Sequence, residues 1–166
     1  MTKPGTPTLY EWMGGESALA ALCERFYDKV LSDDLLLPLF ERMAAEHPRH
    51  VKMFLAEVLG GPKTYSEELG GHATMVRHHL GKAVTEQQRQ RWMQLLLATA
   101  DELELPSDPE FRSALVAYLE WGSRLAVINS ALPETTGLDP HAAMPEWGWG
   151  VPGGPYLPDD PAKAGK

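Results

Sequence analysis

Apolar residues recur every three or four positions along most of this chain, and the alternation that marks a half-buried strand is nearly absent, so the pattern predicts an all-α fold. From Glu16 to Leu31, the residues Leu19, Leu22, Cys23, Phe26, Tyr27 and Val30 share one face, with Glu24, Arg25, Asp28 and Lys29 opposite. Gly14-Gly15 stand before this helix as a breaker. In DDLLLPLF, Asp33 or Asp34 caps a turn or two that end near Phe40. Pro48 suits the first turn of the next helix, whose apolar positions Val51, Phe54, Leu55, Val58 and Leu59 continue until Gly60-Gly61-Pro62 stop it. KTYSEELGG reads as loop, and HATMVRHHL as a short helix ended by Gly81. Thr85 and Gln88 have capping-box spacing for a helix to about Leu103; Ser107 with Glu110, and Pro109 in the first turn, start a last one to about Ala131.

Beyond Leu132 prolines and glycines crowd the chain, which predicts a tail without a core of its own. Within it, Trp147, Trp149 and Tyr156 can pin the tail along the surface, the alternative being a mobile arm. The chain is near the size of a single domain at 166 residues, and its net charge of −8 offers no basic stripe for nucleic acid. With no long apolar run and no signal-peptide pattern, a soluble, cytoplasmic protein without a membrane partner is expected. The one cysteine, Cys23, falls in an apolar stripe and reads as a buried small hydrophobe. Common catalytic motifs are missing: no HExxH, Walker loop, CxxC, GxSxG or strand-anchored GxGxxG, and no Glu-x-x-His pair of a di-iron bundle.

The chemistry then turns on histidine, of which the chain has six. In the short helix, positions 72, 75, 76, 79 and 80 share a face, so His79 lies with Met75, Val76 and Leu80 while His78 is rotated about 100° away. His72 shares that face but sits roughly 10 Å further along the axis, too far to meet the same ion. A lone inward histidine does not build a zinc site, which takes three or four ligands. It is either a hydrogen-bonded core residue or the axial ligand of a haem, where the porphyrin supplies four nitrogens. Tyr27 beside Phe26, His47 one turn from Val51, and Trp92 at the head of Leu95, Leu96 and Thr99 are candidate pocket walls, and equally serve as core filler.

The series FYDKVL, LLLPLF, FLAEVLGGPKTYSEELGGH and RHHLGKAVTEQQRQRW, with the last amphipathic helix, resembles the truncated haemoglobins over residues 8–131. Trp92, thirteen residues after His79, is similar to the marker of their second group. The resemblance implies a two-over-two helical sandwich with a short proximal helix, an N-terminal extension at 1–7 and the Pro/Gly-rich tail at 132–166. It implies haem b, with His79 as the proximal iron ligand, Tyr27 as the distal tyrosine and Trp92 as the indole over the distal pocket. Phe40 matches the aromatic residue on the porphyrin, Val51 and His47 two distal-helix positions facing the ligand and its gate, and Tyr65 a contact of a haem propionate; Phe54 joins the cofactor contacts.

Three departures bear on the site. His50 and His78 stand at positions near the propionates that are often basic in the family, with Arg77 and Lys52 as substitute partners. The gate position is often small, whereas His47 is bulky and can donate a hydrogen bond. Val51 replaces a side chain that is polar in some relatives. The resemblance implies O2, NO, CO or peroxide as ligands at a five-coordinate iron, a separate reductase, and a monomer or homodimer. Nitric oxide dioxygenation and peroxidase-like chemistry are the activities it suggests, with Tyr27, Trp92 and His47 as the residues that act. A reading from another class is a cofactor-free helical module that binds a partner through the EWGWG tail.

Overall fold

The computed structural model describes residues 4–155; Tyr156 lies outside them. The described residues contain helices only: α1 (Leu9–Met13), α2 (Gly15–Val30), α3 (Leu37–Phe40), α4 (His47–Val58), α5 (Thr64–Leu69), α6 (His72–His79), α7 (Glu86–Glu102) and α8 (Pro109–Ser130). Helix α2 packs on α4 and on α7, and α7 packs on α8, so one antiparallel pair lies over the other. This is a two-over-two sandwich. Its core is continuous, because the face of α2 read from periodicity, Leu19 through Val30, is buried residue for residue. None of the helices is long and apolar enough to cross a membrane.

Local chemistry sets the boundaries. Thr85 Oγ1 accepts the Gln88 N–H and the Gln88 side chain accepts the Thr85 N–H, closing the expected box at the start of α7. Asp33, not Asp34, caps the turn before α3, with Oδ1 accepting from the N–H groups of Leu35 and Leu36. At α8 the cap falls one residue later than expected. Asp108, rather than Ser107, accepts from Phe111 N, and its other carboxylate oxygen takes the indole N–H of Trp12 at 2.9 Å. One carboxylate thus starts α8 and ties it to α1.

Two short helices lie where the sequence showed none. Helix α1 is closed by a second capping box, Thr8 with Glu11. The segment expected as a loop contains α5, whose N-cap Lys63 makes no side-chain cap bond. The buried Glu57 of α4 takes over that work from another helix, accepting both the N–H and the hydroxyl of Ser66. Gly60 and Gly61 allow α1 to cross the end of α4. Gly60 has φ +92°, and a Cβ on Gly61 would sit 2.8 Å from both the Ala56 carbonyl oxygen and the Tyr10 ring.

The tail packs back over the sandwich. The Trp147 N–H donates to the Val58 carbonyl at 2.9 Å, and its ring meets Tyr118 and Trp121. Trp149 is 4% exposed, sits edge-on to Trp12 and donates its indole N–H to the Pro7 carbonyl at 2.8 Å. Trp149→Ala is expected to cost about 3 kcal/mol of stability and Trp149→Phe about 1 kcal/mol, measured by urea unfolding. Equal losses in the two variants would mean that the hydrogen bond, not the ring, holds the tail.

Candidate functional site

His79 is the last residue of α6, and its ring is fixed from inside its own helix. Nδ1 lies 2.9 Å from the Met75 carbonyl oxygen. A carbonyl only accepts, so Nδ1 carries the proton and the neutral ring keeps its lone pair on Nε2. That is the form in which imidazole binds a metal. Burial lowers the His79 pKa, the Met75 hydrogen bond opposes that shift, and the charges of His78 and Lys82 lower it further.

The chain after His79 is held as firmly. Gly81 N–H donates to the Leu132 carbonyl, Ala83 N–H to the Ser130 carbonyl, and Val84 N–H to Ser130 Oγ at 2.9 Å. Three bonds therefore fasten the α6–α7 loop to the end of α8. Helix α6 packs on α8 and buries Ala73 and Val76, while Met75 and His79 are half-buried. His78 is exposed, as its rotation about the helix requires.

Across the cleft, Tyr27 of α2 is buried, with its phenol Oη 3.1 Å from His47 Nε2 at the start of α4. The two rings meet edge to face at 5.1 Å, and Phe40 from the end of α3 touches both. Burial drives the Tyr27 pKa far above the ordinary phenol value. Burial also pushes His47 down to about 4, with the nearby charges of His78, His79 and His50 adding to the shift.

Phe26, which the sequence reading left as core, joins the distal side to Trp92: its ring stands edge-on to Tyr27 at 5.0 Å and to Trp92 at 5.6 Å. Phe40, Val51, Met75 and Trp92 rest on the core yet remain partly uncovered. Tyr65 is buried against Phe54 at 5.2 Å, and its phenol is pushed up to about 12 by burial. Glu57 positions it by fixing Ser66, the next residue; a carboxylate on the apolar side of α4 was the available sequence signal. Cys23 is buried, with its thiol pushed up to about 12, and is a core residue.

Lys52 departs from expectation. It pairs with Glu16 of α2, so its ammonium is engaged away from a cofactor carboxylate. His50 is half-buried, Arg77 is exposed, and the charge of His50 is one of the causes, after burial, that lower the His78 pKa. Those three cationic or titratable groups remain at the cleft edge. A groove of about 260 Å³ is lined by Cys23, Tyr27, Met43, Pro48, Arg49 and Lys52.

Among the described residues no three His, Cys, Asp or Glu side chains converge on a bare metal ion. His79, an imidazole with its Nε2 lone pair free, together with the half-covered Phe40, Val51, Met75 and Trp92, fits a metal that brings its other ligands on a flat apolar macrocycle. The residues present fit haem.

The depressed pKa of His47 has a stability consequence. The unfolded chain binds its proton near pH 6.5 and the folded chain only near pH 4, so stability is complete above 6.5 and falls as pH drops through this window. Urea midpoints are expected to decline between pH 7 and 5, and to decline less in His47→Leu, by roughly 1–2 kcal/mol at pH 5. Parallel declines would show that His47 is not the group responsible.

The profile of the family described as Bacterial-like globin matches residues 8–121. The chain is 34% identical over 110 residues to the Group 2 truncated hemoglobin YjbI of Bacillus subtilis (strain 168), spanning 66% of this chain and 81% of that one. Its fold superposes on the crystal structure of the Group II truncated hemoglobin from Bacillus anthracis with a TM-score of 0.68 at 28% identity, covering 82% of this chain and 98% of that one. The truncated oxygen-avid haemoglobin from Bacillus subtilis gives 0.65 at 34% identity, covering 73% and 99%. A family profile over residues 8–121, with relatives alike in sequence and in fold, identifies the chain: it belongs to the bacterial-like globins and, among them, to the group II truncated haemoglobins.

Proposed function

We propose that the protein binds haem b through His79 and holds a diatomic ligand, oxygen foremost, on the opposite face between Tyr27, Trp92 and His47. Membership of the family supports haem-based oxygen binding. The observation that carries the reading for this chain is the His79–Met75 bond, because it fixes the tautomer that leaves Nε2 to coordinate.

When bound, the haem would supply an iron held by His79 and able to bind the gas. The chain supplies the rest. Phe40, Val51 and Phe54 would give the macrocycle apolar contacts, and Tyr65, His50, His78 and Arg77 would hold its carboxylates. Tyr27 and Trp92 bring an O–H and an N–H to the ligand side, in a setting that excludes most water and so strengthens each bond. A hydrogen bond to a group carrying partial charge contributes about 1.5–3 kcal/mol, and 1.4 kcal/mol is tenfold in a rate. Slow release of oxygen suits redox work better than delivery. Nitric oxide dioxygenation and peroxidase-like turnover are the reactions we assign as candidates, each needing a reductant to restore the iron after turnover.

Purified protein is expected to show a Soret band, lost in His79→Gly and restored by added imidazole. A band that survives the substitution unchanged would move the ligand elsewhere. Trp92→Phe is expected to raise the oxygen dissociation rate about tenfold; an unchanged rate removes its indole from ligand retention. Stopped-flow nitric oxide consumption by the oxygenated protein, run beside a peroxide assay on the oxidised form, separates the two activities.

A further inference from the structure

We propose that His47 acts through Tyr27, competing with the ligand for the single phenol proton, and so sets how far the protein favours oxygen over carbon monoxide; this rests on the haem reading above. The geometry is a direct contact, Oη to Nε2 at 3.1 Å. Phenol is the stronger acid of the two donors and imidazole nitrogen the stronger base of the two acceptors, so the bond forms with Tyr27 O–H donating to Nε2. Burial keeps His47 unprotonated at neutral pH, and its lone pair is therefore available.

Tyr27 has one hydrogen. Given to Nε2, it is not given to a ligand. The imidazole is also held in place: its ring meets Tyr27 at an interplanar angle of 88° and lies 5.9 Å from Phe40, and Pro48 follows it in the first turn of α4. A ligand that accepts strongly must draw the proton off Nε2, and gains only the difference between two hydrogen bonds rather than a whole one. A weak acceptor leaves the pair undisturbed. His47 therefore weakens the hold on oxygen, which develops negative charge, while leaving carbon monoxide nearly unaffected. This is opposite in sign to a histidine that donates to the ligand itself, and different from a gate, which would change access for both gases alike.

The test is a double-mutant cycle on the haem-loaded full chain. His47→Leu, with His47→Ala beside it in case one variant folds poorly, is expected to slow oxygen dissociation about tenfold and to change carbon monoxide dissociation less than about twofold. The C–O stretching frequency of the carbon monoxide complex should fall, because the freed phenol turns to the ligand. In the Tyr27→Phe background the same His47 substitutions should do nothing to either rate or to the frequency. Faster oxygen loss on removing His47, no change, or an equal effect without the phenol each overturns the proposal. A wild-type protein without a Soret band overturns the haem reading itself, and the two failures are told apart by absorption alone.

Discussion

The hydrogen bond from His79 to the Met75 carbonyl is the constraint on which the site depends. It need not break the helix, since a backbone carbonyl oxygen has a second lone pair beside the one used by the helix's own N–H. It also removes the choice of tautomer that an imidazole otherwise has. The bond is useful only if α6 ends where it does. That stop is set by the loop at 81–84, fastened to Ser130 and Leu132 by backbone and hydroxyl contacts. The C-terminal end of α8 thus holds the chain just after His79, although the two are about fifty residues apart in the sequence.

The distal side is built on a different principle. There the chain uses aromatic edges instead of backbone bonds: Trp92, Phe26, Tyr27, Phe40 and His47 form a connected row contributed by α7, α2, α3 and α4. Edge-to-face pairs favour particular orientations as well as burial. Rings that orient one another place the few polar atoms among them with little freedom, which suits a pocket whose chemistry consists of one O–H, one N–H and one imidazole.

Much of the fold was legible because it is written locally. The face of α2 and the Thr85–Gln88 box need no information beyond a few neighbouring residues, and both are in place. Helix α1 went unread, because its five residues give periodicity almost nothing to act on. Helix α5 did too, because its start is satisfied by Glu57, a side chain from another element. The same holds for Lys52: sequence position put it near the cofactor edge, and only the packing of α2 on α4 shows that Glu16 has it. For the site, periodicity separated His79 from His78, whereas the contact between His47 and Tyr27, twenty positions apart, needed three dimensions.

The tail adds a matter of timing. The bond from Trp149 to Pro7 spans 142 positions, the largest separation of any side-chain hydrogen bond described. Contacts this distant contribute only after the loop between them has been closed, so local helices and their neighbours assemble first. On a ribosome, residue 149 emerges after every helix of the sandwich, so the docking surface of α1 stays open until all of α2 to α8 have been made.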